Sequence, residues 1–221
     1  MSITENIHHF KEIVPDGVEL VAVSKFHPLE AIIEAYNAGQ RLFAESRPQE
    51  LAQKAEKLTK VLYPDLRWHF IGHLQTNKLK LVLPYVSLVE SVDSIHLLDE
   101  IQKWGIANER TIDVLLEVHV AAEESKQGLY EEDVLDILFN YEKYSHIRFR
   151  GLMGMSTNTP DMSIVNADFA RLDAFMAYLK DLFPECKDFN QLSMGMSSDW
   201  EYAIKNGATI IRIGTAIFGQ R

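Results

Sequence analysis

One cysteine, Cys186, among 221 residues leaves no partner for an internal disulfide. The fold therefore rests on noncovalent packing and suits a reducing compartment such as the cytoplasm. Cys186 itself, near the end of a helical stretch, is read as a bystander thiol. Basic residues are also scarce: 22 Lys and Arg against 32 Asp and Glu give a formal net charge of -10. That balance excludes a general nucleic-acid binder, whose phosphate contacts need clustered cations. Local basic spots can still hold one small phosphate ester. No apolar run approaches the ~18–20 residues of a membrane span, and residues 1–10 are polar, without the hydrophobic region of a signal peptide. Nor does a Ser/Gly linker, low-complexity tract or long charge block divide the chain. Residues 1–221 are expected to form one cytoplasmic domain with no membrane segment.

What is present is a repeated beat of apolar runs and amphipathic stretches. Strand candidates are Leu20–Lys25, Leu42–Ser46, Trp68–His73, Leu88–Ser91, Asp113–Val120, Arg148–Met155, Gln191–Met194 and Ile210–Gly214. Helical patterns lie between most of them: Leu29–Ala38 before Gly39, Pro48–Leu62, Ser94–Trp104 before Gly105, Glu131–Tyr141, Ser163–Leu182 and Asp199–Lys205. Asn158-Thr159-Pro160-Asp161 supplies turn and cap chemistry for the longest helix. Eight strands alternating with helices predict an α/β fold with a parallel sheet, and eight is the number that closes a (β/α)8 TIM barrel. The alternative is an open doubly wound sheet. A dinucleotide-binding version of that fold carries a Gly-rich turn after its first strand, and this chain has Lys25-Phe26-His27-Pro28 there.

In a barrel, chemistry collects at the carboxyl ends of the strands. Lys25 closes the run Glu19-Leu20-Val21-Ala22-Val23-Ser24, with its stem in a core and its amine at the mouth. Such a lysine either snorkels to water or, desolvated, has the lowered pKa of an amine nucleophile. After the seventh strand, Ser197, Ser198 and Asp199 stand where a helix is about to begin, as a cap or as a cap that also binds an anion. After the eighth, Gly214 and Thr215 offer backbone donors, close approach and a hydroxyl. Arg212, just before them, pairs either with a ligand or with a core carboxylate such as Glu117. Phosphate donors, an arginine in the wall and a strand-end amine describe a pocket for a phosphorylated aldehyde. Pyridoxal 5′-phosphate (PLP) is the leading candidate.

Eight motifs in order then carry a resemblance along nearly the whole chain. They are Val21–Lys25 (VAVSK), Phe43–Glu50 (FAESRPQE), Trp68–Lys78 (WHFIGHLQTNK), Glu90–Ser94 (ESVDS), Ser125–Gly128 (SKQG), Gly151–Met155 (GLMGM), Leu192–Ile204 (LSMGMSSDWEYAI) and Ile211–Gly219 (IRIGTAIFG). The chain resembles the pyridoxal phosphate homeostasis protein family, whose fold is similar to the N-terminal barrel of alanine racemase, a fold-type III PLP-binding domain. The resemblance implies Lys25 as the Schiff-base lysine and Ser197, Gly214 and Thr215 around the PLP phosphate. It implies Arg212 facing the pyridine nitrogen. Where the family pattern has Gly-Glu-Asn, this chain has Ala44-Glu45-Ser46, which removes an amide near the cofactor ring; Pro48 stiffens the loop that follows. His69 is read as a hydrogen-bonded core histidine or a catalytic one, and Met153, Met155, Met194 and Met196 as pocket walls and packing.

An arginine at the pyridine nitrogen keeps that nitrogen unprotonated and weakens PLP as an electron sink. The chain also ends at Arg221, directly after the last motif, without the second domain that supplies alanine racemase with its other acid/base. The expectation is a monomeric PLP carrier that stores, buffers or delivers the cofactor, with apo PLP enzymes as recipients. No residue is assigned a catalytic role and no metal site is expected. The alternatives are a weak amino-acid racemase or lyase using a tyrosine or His69, and a cofactor-free class I aldolase using Lys25 on a sugar phosphate.

Overall fold

The computed structural model describes residues 2–123 and 127–220. Eight parallel strands close in sequence order, with the last pairing the first. They are β1 (Glu19–Val23), β2 (Leu42–Glu45), β3 (Arg67–Phe70), β4 (Leu88–Val92), β5 (Ile112–Val118), β6 (Ile147–Gly154), β7 (Gln191–Ser193) and β8 (Ile210–Ile213). The expected TIM barrel is thus observed, each strand at the place the apolar runs gave it.

Around it lie α1 (Ile3–Ile13), α2 (Leu29–Asn37), α3 (Pro48–Lys57), α4 (Ile95–Ala107), α5 (Glu131–Phe139), α6 (Met162–Leu182), α7 (Trp200–Lys205) and α8 (Thr215–Phe218). A 3-10 helix, Thr76–Leu81, links β3 to β4 in place of an α-helix. Helix α1 is an addition to the sequence reading. Its signature is in the chain: Ser2 and Glu5 form a reciprocal capping box, and Ile7 and Phe10 share its buried face. The ends of α3 and α4 depart furthest from expectation. Helix α3 stops at Lys57, because Leu58 leaves helical geometry and is buried. Helix α4 runs through Gly105 to Ala107. Gly105 serves packing instead of termination, since a Cβ there would meet the Arg110 carbonyl and His146 Cβ at 2.8 Å.

Strand alternation divides the core in two. Outward residues such as Ala22, Phe43, Phe70 and Ile213 pack under the helices. Inward residues, among them Val21, Val23, Leu42, Ala44, Leu88 and Leu115, fill the lumen. The same alternation divides the methionines between the two expected roles: Met194 follows the inward Ser193, faces outward and is barrel packing, fully buried in the outer layer.

Register between β5 and β6 slips by one residue at Val114/Leu115, where Gly151 has φ +145° and a Cβ would lie 1.8 Å from the Gln191 carbonyl oxygen. Gly151→Ala therefore forces β6 and β7 apart and strains the backbone. Urea unfolding is expected to show a loss of at least about 2 kcal/mol; an unchanged midpoint would place the β6–β7 contact elsewhere.

Candidate functional site

At the carboxyl mouth of the barrel lies a cavity of about 350 Å³, toward the small end of the about 300–1,000 Å³ typical of ligand sites. Lys25, Ser197, Arg212, Gly214 and Thr215 all line it, so the five residues singled out from three separate strand ends meet in one place. Val23, Ile71, Met153 and Met155 supply its apolar wall, and Met196 and Ser198 its rim. His27 also lines it, stacked on Phe218 with ring centroids 5.0 Å apart. Sequence reasoning had passed over His27; its position two residues after Lys25, on the same strand-end loop, was the available signal.

Ser197 departs from the role of capping the helix that follows it. Its Oγ accepts the N–H groups of Gly214 at 3.2 Å and Ala216 at 3.4 Å, tying the β7 loop to the start of α8. A hydroxyl that accepts twice keeps its own proton to donate. Asp199 is the cap residue of α7 by position, and its carboxylate accepts the Met196 N–H at 2.5 Å and the Ser156 hydroxyl at 3.0 Å. Gly214 has φ −111°, so no left-handed turn requires it. A Cβ there would touch Val23 only at ordinary contact, 3.4 Å and beyond. Without a side chain, Gly214 leaves its backbone open where it lines the cavity.

Below the cavity the lumen is polar. Arg212 donates from Nη1 to Ser193 Oγ at 2.6 Å and from Nη2 to the Gly154 carbonyl at 3.1 Å. Ser193 donates in turn to Glu90 Oε2 at 2.5 Å, which lies 3.8 Å from Arg212 Nη1. The other Glu90 oxygen faces His69 Nδ1 at 2.6 Å. Burial alone would raise the Glu90 pKa, but His69, Arg212 and Ser193 together hold it below the ordinary value. Being a carboxylate it can only accept, so His69 Nδ1 carries the proton. His69 is a core histidine bonded to Glu90. The carboxylate paired with Arg212 is Glu90, with Glu117 a further electrostatic neighbour. Glu90 and Ser193 were not among the candidates, although their inward parity in β4 and β7 marks them as buried polar groups.

Ser46, the departure in the second motif, does not line the cavity; its backbone abuts Gly72 instead. Pro48 occupies the first turn of α3, where its fixed φ fits. Of the Ser125–Gly128 motif, Ser125 and Lys126 lie outside the described residues. Cys186 is half-buried, and burial, with Glu185 nearby, raises its thiol pKa. Among the described residues there is no helix long and apolar enough to cross a membrane, nor a cluster of three or more potential metal ligands.

The family model for the alanine racemase N-terminal domain matches residues 1–221. The chain belongs to that family. Within it, the chain is 40% identical over 208 residues to the pyridoxal phosphate homeostasis protein of Aquifex aeolicus, covering 92% of this chain and 87% of that one. It is 38% identical over 219 residues to the protein of the same name from Homo sapiens, covering 91% and 76%. PipY of Synechococcus elongatus with PLP bound superposes with a TM-score of 0.91 at 36% identity, over 99% of this chain and 100% of that chain. Alanine racemase from E. faecalis, at 17% identity and a TM-score of 0.76 over 99% of this chain and 58% of that one, shares the fold.

Glu117, inward on β5, is pushed up to about 7 by burial and by Asp93, against the pull of Arg212. The folded carboxyl thus keeps its proton to about pH 7, while the unfolded one releases it near 4.5. With more protons bound when folded, stability falls as pH rises through that window. Glu117→Gln is expected to stabilise the fold on the order of 2 kcal/mol at pH 8 and little at pH 4. Chemical denaturation at the two pH values checks this; an equal effect at both would contradict it.

Proposed function

We propose that this protein binds PLP at the barrel mouth and serves intracellular PLP homeostasis by storing, buffering or delivering the cofactor, without strong catalysis of its own. The observation that carries the reading is the convergence of Lys25, Arg212, Ser197, Gly214 and Thr215 on one ligand-sized cavity. PLP supplies an aldehyde that condenses with an amine, the carbonyl oxygen leaving as water with both amine hydrogens, and a phosphate that anchors it. The donor set fits both ends. Lys25 brings the amine; the Ser197 and Thr215 hydroxyls and the open backbone at Gly214 suit the phosphate. Arg212 takes the ring side, and its two hydrogen bonds and its ion pair with Glu90 hold it in place.

A carrier role is supported over a racemase by what faces the cavity. His69 commits Nδ1 to Glu90 and is not among the lining residues. His27 shares the loop of Lys25 and so adds no acid/base from the opposite side. A permanently cationic arginine at the ring nitrogen keeps that nitrogen unprotonated and limits carbanion chemistry. We further propose that the protein works as a cytoplasmic monomer that passes PLP to apo-enzymes.

Purified protein mixed with PLP is expected to turn yellow, and Lys25→Ala to lose the visible band while retaining weaker, phosphate-anchored binding. Arg212→Ala should shift the spectrum and loosen the cofactor without creating activity. Ser197→Ala with Thr215→Ala should weaken retention by about tenfold or more, the size of two lost hydroxyl donors. Amino-acid racemisation at ordinary enzymatic turnover would overturn the carrier reading, and a colourless protein the binding reading.

A further inference from the structure

The residue after Lys25 has a backbone conformation that its side chain disfavours. Phe26 has φ +68°, in the left-handed region where a Cβ is crowded. His27 N–H bonds the Ser24 carbonyl at 3.0 Å, closing a turn over Ser24-Lys25-Phe26-His27. A positive φ confined to the third residue makes it a type II turn, which favours glycine at that position. Flipping the Lys25–Phe26 peptide gives a type I turn, in which the third residue has negative φ and phenylalanine is comfortable.

A carboxylate opposes that flip. Glu50, in the first turn of α3, accepts the Phe26 N–H at 2.6 Å, and this is the donor that a flip would turn away. The same Glu50 oxygen accepts Lys54 Nζ at 2.7 Å. Lys54 also donates to the Ser24 carbonyl at 2.8 Å and to Glu45 at 2.7 Å, while Ser24 Oγ donates to Glu45 at 2.6 Å. Lys54 and Glu45 are buried, where charge pairs are little screened by salt. The Arg47 guanidinium covers the Phe26 ring at 4.0 Å. The cluster therefore grips the turn at the Ser24 carbonyl and at the Phe26 amide, on either side of Lys25.

We infer that Glu50 and Lys54 are positioning residues, which hold the Lys25–Phe26 peptide in its less favoured orientation and so direct the Lys25 amine into the cavity. Neither lines the cavity; both act through the turn. The inference rests on the proposal that the cavity takes PLP. The amine nitrogen of Lys25 bonds the aldehyde carbon as the carbonyl oxygen departs as water, and the rate depends on how often the amine lies on that approach.

The test is the rate at which colour develops when PLP is mixed with wild type, Glu50→Ala, Glu50→Gln and the double variant Glu50→Ala with Phe26→Gly. Glu50→Ala is expected to slow attachment about tenfold, as loss of one charge-assisted hydrogen bond implies, while Lys54 keeps Glu45 as its partner. Glu50→Gln, which retains an acceptor, should stay within about threefold of wild type. Phe26→Gly should restore most of the rate in the Glu50→Ala background, because glycine holds a type II turn unaided. That rescue separates positioning from general destabilisation. A wild-type rate in Glu50→Ala, or a slow variant that neither change rescues, overturns the inference and leaves PLP binding intact. Absence of colour in wild type overturns the binding proposal and the inference with it.

Discussion

An ionised Glu90, fully buried in the barrel lumen, is the constraint on which the site depends. Its two oxygens take His69, Ser193 and the field of Arg212, linking β3, β4, β7 and β8. At 3.8 Å and an effective dielectric of about 20, the Coulomb attraction is about 4 kcal/mol. Desolvating the two ions costs several kcal/mol each, so the pair adds little net stability. Removing one partner, however, strands a buried charge at a cost of roughly 3–5 kcal/mol. The network thus fixes where Arg212 sits more than it holds the barrel together.

A barrel interior is ordinarily filled with branched apolar side chains. Here Val21, Leu42, Leu88 and Leu115 do that work in the deeper lumen, while Glu90, Ser193, Arg212 and Glu117 make the upper layer polar. A second charged cluster, Lys54 with Glu45 and Glu50, lies between the barrel and α3. One network braces the arginine from inside and the other braces the lysine turn from outside. Lys25 and Arg212 both line the cavity; Arg212 is held through its side chain and Lys25 through the backbone of its turn.

Much of this was legible in the chain. Apolar runs at regular spacing mark all eight strands, and strand-end logic points to Lys25, Ser197, Arg212, Gly214 and Thr215, which line one cavity. What escaped depends on side-chain direction across elements distant in sequence. Glu90 and Ser193 are 103 residues apart, and no local pattern pairs them. Glu45 read as part of a motif, but its salt bridge to Lys54 needs strand β2 and helix α3 set face to face. Among Ser197, Ser198 and Asp199 it is Asp199 that stands at the cap of α7, and the bonds of Ser197 to Gly214 and Ala216 escape a local reading because those partners lie on the next strand's loop. Helix α1 escapes a reading by composition, because residues 1–10 are largely polar, although its capping box is written in Ser2 and Glu5 and its buried face in Ile7 and Phe10.

The central claim is that the amine at the end of β1 holds the cofactor. Borohydride reduction of protein loaded with PLP, followed by proteolysis and peptide mass mapping, tests it most directly. The account predicts one pyridoxyl-phosphate adduct, on the peptide carrying Lys25. An adduct on a different lysine, or none on protein that retains PLP, would contradict it.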